Sequence, residues 1–260
     1  MLICPKCNQN LNKKEKMWCC ENHHTYDIAK RGYVHLAMNQ KKNTGDDKEM
    51  VKARTRFLSH GYYEILRNEL KRITDVYNPH TIIDAGCGEG YYTNYLKNEQ
   101  NEIIGFDLSK HAVDEACKAR KQVQYVVASI FHLPLADKCC DMVLSVFAPF
   151  DIQEFYRVLK SNGLFIKVGP APRHLMGLKK ILYDKPYENP NEVMEYEGFI
   201  LEDTILLEDV ISIQDVNDIQ ALFHMTPYYW KTSRNAAEKL KNITGLETEI
   251  QFQIEIYRRT

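Results

Sequence analysis

The chain has 260 residues, 44% of them hydrophobic, and carries 34 Lys and Arg against 35 Asp and Glu, a net charge of −1. This length suits one sizeable α/β domain with a smaller appended module. No run of about 18 apolar residues could span a membrane, and the near-neutral total charge argues against a uniformly basic nucleic-acid binder.

The charge is distributed unevenly along the chain. Residues 1–80 carry 15 Lys and Arg against 9 Asp and Glu, whereas residues 81–260 carry 19 against 26. Such a division favours a basic segment that meets phosphates beside a catalytic body, although an unevenly solvated surface has the same composition. Eight cysteines without a charged-then-apolar leader indicate metal binding or burial in a reducing cytoplasm, not a disulfide framework.

The N-terminal segment predicts a zinc site. Cys4 and Cys7 form a CxxC knuckle, and a second group of possible ligands follows about a dozen residues later: Cys19, Cys20, His23 and His24. Two pairs have the spacing to close a tetrahedral site, Cys20 with His24 or Cys19 with His23. Four protein ligands leave no open position, so the metal is expected to be structural. A segment this small cannot build an adequate core, and zinc would supply on the order of 10 kcal/mol of its folding free energy.

The next segments predict a linker between two parts of the chain. Residues 26–36 mix aromatic and basic side chains, which suits contact with RNA bases and phosphates or, equally, the packing shell of a small zinc module. Residues 40–48 are polar and contain glycine, which predicts a mobile loop. Residues 49–73 carry apolar side chains at helical spacing with a break at Gly61. Arg54 lies on the charged face of the first of these helices.

The chain is organised around residues 81–92, where a short apolar run ends at Asp84 and three glycines follow at alternate positions: Gly86, Gly88 and Gly90. This pattern predicts a buried strand that enters a helix through a turn close to a ligand. Glycine permits positive φ and close approach of the backbone. The spacing differs from the GxGxxG of dinucleotide folds. Asp84 and Glu89 would repel a pyrophosphate and favour a cationic ligand such as S-adenosylmethionine, whereas a tight turn that binds nothing is the alternative.

Strands and helices then alternate. A strand over residues 102–106 ends at Asp107, about twenty residues after the glycines, where an acid typically holds ribose hydroxyls. The pattern further predicts helices over residues 92–97, 110–121 and 152–160, a C-cap turn at 161–163, and strands over 123–128, 140–147 and 164–168. This alternation predicts a mostly parallel sheet with right-handed crossovers. Residues 204–213 alternate only partly, whereas residues 250–256 alternate cleanly, which predicts a half-exposed antiparallel strand near a sheet edge.

The glycine turn, Asp107 and the segment 157–163 resemble class I S-adenosylmethionine methyltransferases. More narrowly, the chain resembles the bacterial 23S rRNA guanine-N1 methyltransferases over nearly its full length. The matching segments are the CPxC start, Cys20 and His24 with residues 26–27, residues 29–34, 45–46, 86–93, 148–149, 172–176 and 225–227. The implied fold is α/β: a Rossmann-like, mostly parallel seven-stranded sheet with an antiparallel strand and a small N-terminal zinc-binding module.

The resemblance also implies a domain division and a set of functional residues. Residues 1–37 would form a zinc-binding, RNA-contacting module, 38–74 a loop and helical linker, and 75–260 the methyltransferase domain. The implied ligands of a structural Zn²⁺ are Cys4, Cys7, Cys20 and His24. The expected contacts to S-adenosylmethionine, including the residues of the glycine turn and the ribose-binding acid, are Tyr63, Asp84, Gly86, Gly88, Glu89, Gly90, Asp107 and His174.

The implied reaction is methylation of N1 of a guanine in hairpin 35 of 23S rRNA, guanine 745 or 748, by a cytoplasmic homodimer that takes part in rRNA processing. Guanine N1 is protonated at neutral pH, so a group must accept that proton, or O6 must be held so that N1 loses it easily. Asp151 is one candidate acceptor, and the catalytic residues are otherwise unassigned. The alternatives are a methyltransferase for a small molecule and a non-catalytic zinc-containing RNA-binding protein.

Overall fold

The computed structural model describes residues 1–38, 45–119 and 122–260, without the side chains of residues 234 and 235. Most of the loop predicted over residues 40–48 and the predicted helix end at residue 121 therefore lie outside the described residues. The N-terminal module contains a small antiparallel sheet of three strands in sequential order: β1 (Asn12–Lys13), β2 (Met17–Cys19) and β3 (Thr25–Asp27).

A second sheet of eight strands forms the centre of the molecule. Its strands are β4 (Val34–His35), β5 (Thr81–Ala85), β6 (Glu102–Asp107), β7 (Gln124–Val127), β8 (Cys140–Val146), β9 (Leu159–Pro170), β10 (Phe199–Ile213) and β11 (Leu246–Arg259). They lie in the order β10-β11-β9-β8-β5-β6-β7-β4. Among the described residues, the antiparallel pairings of this sheet are those of β11 with β9 and β10, and the other strand pairs are parallel, which confirms the mostly parallel architecture. The sheet has eight strands where seven are expected, because β4 of the N-terminal module adds to its edge.

Helices connect and cover the strands. They are α1 (Lys48–Ser59), α2 (Glu64–Tyr77), α3 (Tyr91–Leu96), α4 (Lys110–Ala116), α5 (Ile152–Val158), α6 (Met176–Leu182), α7 (Val216–His224), α8 (Tyr228–Lys231) and α9 (Arg234–Lys239). The helix predicted across residues 49–73 is indeed broken around Gly61. Among the described residues, none of these helices combines the length and apolarity needed to cross a membrane.

The central strands are buried on both faces. Ile82 and Ile83 of β5 are both fully buried, yet they belong to separate apolar clusters because successive side chains point to opposite faces of a sheet. One cluster packs against α1, α2 and α7, and the other packs against α5. This two-sided burial explains the near-continuous apolar runs of the parallel strands.

Two local predictions are wrong. The segment 161–163 is no helix C-cap: α5 ends at Val158, and residues 159–170 form β9, whose pairing with β8 shifts register between Cys140 and Met142. The strand β11 is antiparallel and lies next to the edge strand as predicted, but it is not half-exposed, since Gln253 and Glu255 are buried along with the alternating apolar residues. The strand lies between β9 and β10. Its polar residues are buried by contacts with distant parts of the chain, and its own sequence does not reveal those contacts.

The N-terminal module shares its packing with the central sheet. The two residues of β4 pair in parallel with β7. The first residues of the chain run beside the segment before β8, where the Ile3 N–H donates to the Pro134 carbonyl at 2.9 Å and the Ala136 N–H to the Met1 carbonyl at 2.9 Å. Leu2 lies in the same apolar cluster as Ile83 of the central strand. The division at residue 37 stays a prediction about domains, but the two parts share one apolar core.

Candidate active site and metal centre

The glycine turn after β5 touches the end of β8. Gly86 has φ +87°, and a Cβ placed on it would lie 2.4 Å from the Cβ of Ala148. The N–H groups of Gly86 and Cys87 both donate to the carbonyl of Phe106 at the end of β6, at 2.8 and 2.9 Å. Only glycine can supply both the left-handed backbone and the missing Cβ at this position. The turn thereby draws the carboxyl ends of three strands together.

Asp107 connects this turn to the next helix. Its Oδ2 accepts the Gly88 N–H at 2.9 Å, and its Oδ1 accepts the Ser109 N–H at 2.7 Å. Burial raises the pKa of Asp107, and the hydrogen bonds from these backbone groups oppose the rise. A carboxylate oxygen has two lone pairs, so each oxygen retains capacity for one further donor such as a ribose hydroxyl.

Asp84 lies deeper, beneath the turn. It is 2% exposed, and its Oδ2 accepts the hydroxyl of Thr93 at 2.5 Å. Burial raises the pKa of Asp84 to about 7, the Thr93 hydrogen bond opposes that rise, and nearby Asp107 and Glu89 add to it. The carboxyl group therefore changes its charge near neutral pH, close to the place where a cationic ligand would lie.

Glu89 is not a free acid in the turn. It is paired with Arg54 of α1, whose Nη1 also bonds Asp46 Oδ2 at 2.5 Å. Burial alone would lower the pKa of Arg54, but the carboxylates of Glu89 and Asp46 raise it instead. The sequence placed Arg54 on a charged helix face, whereas the structure packs its guanidinium against Gly88. Helix α1 is thereby held against the turn.

His174 and Tyr63 form a hydrogen-bonded pair with a defined direction. The Gln251 N–H donates to His174 Nδ1 at 3.2 Å, so the proton of the neutral ring is on Nε2. Burial lowers the pKa of His174 to about 3, which keeps the ring neutral. Nε2 lies 3.2 Å from the Tyr63 hydroxyl and donates to its oxygen. The hydroxyl hydrogen of Tyr63 is then available to a ligand acceptor.

These residues line one cavity of about 990 Å³ at the carboxyl ends of the strands. In open α/β sheets this is where ligands bind. The half beside β5 and β6 contains four carboxylates, and the half beside β8 and β9 contains Lys167 and the segment from Phe147 to Phe150. Seven of the eight predicted cofactor residues line the cavity, and the exception is Gly90. Gly90 packs against Tyr125 on the other side of the turn, where a Cβ would lie 2.6 Å from the tyrosine hydroxyl.

Asp151, the candidate proton acceptor, does not line this cavity. Its Oδ1 accepts the Gln153 N–H at 2.9 Å and so caps the N-terminus of α5. Sequence reasoning also missed two cavity residues, Lys167 and Phe147. A single lysine within the apolar strand of residues 164–168 was the available signal for Lys167. Nothing in the sequence indicated that Phe147 adopts a left-handed conformation, with φ +54°.

The side chains of Cys4, Cys7, Cys20 and His24 converge in the N-terminal module, with all four possible ligand atoms within 4.8 Å of one another. The Cys7 and Cys20 Sγ atoms are 3.6 Å apart, and His24 Nδ1 lies 3.4 Å from Cys4 Sγ and 3.5 Å from Cys20 Sγ. Tetrahedral zinc with Zn–S near 2.3 Å and Zn–N near 2.0–2.1 Å sets neighbouring ligands roughly 3.5–3.8 Å apart. The four residues fit zinc.

The structure decides between the two possible second pairs. Cys19 ends strand β2 and, like His23, is not part of the cluster. The Tyr26 hydroxyl lies 3.1 Å from Cys4 Sγ. Burial alone would raise the pKa of Cys4, but hydrogen bonds from Tyr26 and from backbone N–H groups lower it to about 6. Cys4 therefore favours the thiolate that a metal requires, whereas burial raises the pKa of Cys20.

Two family models match this chain. One, described as a methyltransferase domain, matches residues 83–167, and the other, described as the N-terminal part of RlmA and labelled a zinc ribbon, matches residues 2–44. Together with the sheet order and the glycine turn, they define a class I S-adenosylmethionine-dependent methyltransferase with an N-terminal zinc ribbon.

Three relatives identify the family. The 23S rRNA (guanine(748)-N(1))-methyltransferase of Streptomyces fradiae is 34% identical over 68% of this chain and 66% of its own length. A protein of Micromonospora griseorubida, provisionally named a 23S rRNA (guanine-N(1)-)-methyltransferase, is 31% identical over 68% of both chains. YxjB of Bacillus subtilis, with the same provisional name, is 29% identical over 98% of this chain and 96% of its own. The chain belongs to the 23S rRNA (guanine-N1-)-methyltransferase family.

Proposed function

We propose that the protein transfers a methyl group from S-adenosylmethionine to N1 of a guanine in hairpin 35 of 23S rRNA, guanine 745 or 748. The observation that carries the proposal is the joining of a zinc-type Cys/His cluster and an acid-lined cavity within one core. The Streptomyces fradiae relative, named for guanine 748, supports a target in this hairpin.

The acid-rich half of the cavity is the proposed cofactor site. Asp107 would accept the ribose hydroxyls, and the Tyr63 hydroxyl, directed by His174, would donate to an acceptor on the cofactor. The glycine turn would lie against the ligand, while Asp84 and Glu89 provide negative potential for its positive charge. When bound, the sulfonium centre supplies an activated methyl group, so the protein mainly has to align the acceptor nitrogen and exclude water.

The proposed zinc ligands are Cys4, Cys7, Cys20 and His24, and the metal would stabilise a module that contacts RNA. Lys13 at the end of β1 and Lys14 and Lys16 in the turn that follows it are exposed, and the Lys13 ammonium lies 5.9 Å from the centre of the Trp18 ring. Cations beside an aromatic ring suit phosphate contacts and base stacking. Binding through phosphates would be strongly dependent on salt.

The target base must leave its hairpin stack to enter the cavity, at a cost of a few kcal/mol. We propose that phosphate contacts to residues 1–37 offset this cost. The same proposal covers the division into a zinc module, a linker over 38–74 and a methyltransferase domain over 75–260. We further propose that the protein is a cytoplasmic homodimer that acts in rRNA processing. Sedimentation equilibrium of the purified protein tests whether two chains associate.

Mass-spectrometric mapping of 23S rRNA tests the proposed reaction. Cells that lack the gene are expected to lose one N1-methylguanosine in hairpin 35, which the wild-type gene restores and an Asp107→Ala gene does not. An unchanged N1-methylguanosine content would refute the substrate assignment. Weak RNA binding that is insensitive to salt would then favour a small-molecule methyltransferase, and failure to bind S-adenosylmethionine would favour a non-catalytic RNA-binding protein.

A further inference from the structure

The two halves of the cavity differ in the charges they present. Within the described residues, the four carboxylates that line it, Asp46, Asp84, Glu89 and Asp107, all lie around the glycine turn. The half beside β8 and β9 has no lining carboxylate among those residues; its charged side chain on the sheet is Lys167, and Lys231 of α8 also lines the cavity. If the acid-rich half holds the cofactor, as proposed above, the acceptor base lies on the Lys167 side, which offers a cation instead of a carboxylate base.

Lys167 forms an ion pair with a buried carboxylate on the neighbouring strand. Its Nζ lies 2.9 and 3.0 Å from the two carboxylate oxygens of Glu255 on the neighbouring strand β11. Gln253 donates to the same carboxylate at 3.0 Å, and the Tyr257 hydroxyl donates to it as well. Tyr196, from the segment before β10, is a further partner of Lys167: its side chain hydrogen-bonds the ammonium, which opposes the rise that burial causes in the pKa of Tyr196. The side chain of Glu255 is 4% exposed, whereas that of Lys167 is 20% exposed and lines the cavity.

The pair with Glu255 leaves one N–H donor of Lys167, and the protein group beside that donor is the Tyr196 hydroxyl. An ammonium group has three N–H donors and no acceptor, and Glu255 offers two oxygens, each already engaged by a further donor. A buried ion pair of this kind is weak evidence for a role in stability, because desolvation of both charges largely cancels their attraction. A fixed ammonium at the wall of a ligand cavity has a more specific use, which is to stabilise negative charge that develops on a bound molecule.

We propose that Lys167 donates a hydrogen bond to O6 of the target guanine and so promotes loss of the N1 proton. In the step, N1 forms a bond to the methyl carbon, the carbon–sulfur bond breaks with its electron pair remaining on sulfur, and the N1 proton passes to water. Loss of that proton leaves negative charge shared between N1 and O6. Lys167 stabilises the O6 share, while Glu255 fixes the position of the ammonium. The inference rests on the proposed function and identifies Lys167 as a residue that contacts the target base.

The experiment compares two variants that differ only in the cation. Lys167→Met combined with Glu255→Gln removes both charges, so no unpaired carboxylate stays buried, and Glu255→Gln alone retains the lysine. Single-turnover transfer of labelled methyl groups to a hairpin 35 RNA is measured from pH 6 to pH 10, with calorimetry of S-adenosylmethionine binding as the folding check. Lys160→Met is the matched control, because Lys160 lies on the same strand, bonds Asp141 at 2.7 Å and does not line the cavity.

The double variant is expected to bind S-adenosylmethionine as the wild type does and to lose about 10²-fold in rate at pH 7, the usual cost of one oxyanion donor. The loss should shrink as the pH rises, because the base then loses its N1 proton without help. Asp84 also titrates in this range, but it is present in every variant and cancels in their ratios. An RNA with 6-thioguanosine at the target, whose N1 is more acidic, should show a smaller loss.

The Lys160→Met variant is expected to keep its rate within a few-fold of wild type, and the Glu255→Gln variant, whose ammonium is less firmly positioned, is expected to lie between the wild type and the double variant. A double variant as fast as Glu255→Gln at every pH would overturn the proposal, as would a loss that stays constant across the pH range, because that pattern indicates altered packing. If the wild type itself fails to methylate guanine N1, the proposed function is wrong and this inference fails with it. An active wild type with an unaffected double variant overturns only the role of Lys167.

Discussion

The zinc-binding module and the glycine turn position their ligand-binding atoms by different means. In the module, Cys4, Cys7, Cys20 and His24 come from two short turns, and a metal would hold them together. In the turn, the backbone is held by close packing against the end of β8, which leaves no room for a Cβ on Gly86 beside Ala148. One site therefore depends on an added ion, and the other depends on packing between strands. The two nevertheless share an apolar core, so their independence can be tested.

The largest expected effect is loss of the metal. Cys20→Ser should release zinc and destabilise the N-terminal module by several kcal/mol, below the order of 10 kcal/mol of isolated fingers because Leu2 and Leu11 already pack in the central core. Cys19→Ser is the matched control, since Cys19 is outside the cluster. Zinc content, urea denaturation and RNA retention are the measurements. Equal loss of S-adenosylmethionine affinity in Cys20→Ser would show that module and turn unfold as one unit.

A smaller effect is expected when a methyl group is added to the turn. Gly86→Ala should cost about 1–3 kcal/mol of stability beyond backbone strain, because the new Cβ meets Ala148 at 2.4 Å. It should also weaken S-adenosylmethionine binding. Gly32→Ala in the zinc module is the control, because Gly32 has φ +100° but nothing within 4 Å of a Cβ. Similar destabilisation of both variants would show that strain, not the contact with Ala148, is decisive.

The third prediction concerns the ribose-binding acid. Asp107→Ala removes the acceptor of the Gly88 and Ser109 N–H groups as well as the proposed ribose contacts. Lost charged hydrogen bonds cost roughly 1.5–3 kcal/mol, so S-adenosylmethionine affinity should fall about 10- to 100-fold in calorimetry. Asp114→Ala, which only breaks a surface pair with Arg31 at 3.4 Å, should change nothing. RNA retention should survive in both, and its loss in Asp107→Ala would point to unfolding.

The fourth prediction is a pH dependence centred on Asp84. Burial raises its pKa from 3.8 to about 7, so between about pH 4 and pH 7 the folded protein holds a proton that the unfolded chain has released. Its contribution to stability therefore falls as the pH rises, with a slope below about 1.4 kcal/mol per pH unit. Asp84→Asn should remove that slope from urea-denaturation curves at pH 5 and pH 8. A wild-type minus variant difference that does not change with pH would contradict the assignment.

Much of the fold could be predicted because local sequence patterns determine its strands and its glycine turn. Apart from β4, the parallel strands appear as short, mainly apolar runs, since both of their faces are covered, and the glycine turn follows from the spacing of three residues. Local patterns failed where distant segments decided the outcome. Residues 161–163 fit a helix cap in isolation, yet pairing with β8 incorporates them into β9. Burial of Gln253 and Glu255 likewise depends on partners elsewhere in the chain.

The candidate site shows the same division. The sequence determined the acids and glycines of the cofactor half and the kinds of residue that bind zinc, because these depend on spacing within a few turns of chain. Only the tertiary structure decided that Cys20 and His24 close the cluster, that Glu89 pairs with Arg54, and that Lys167 meets a carboxylate 88 residues away. The Lys167 pair forms where strands distant in sequence become neighbours in the sheet, and the Glu89 pair forms where α1 packs on the glycine turn, and no local pattern encodes either adjacency.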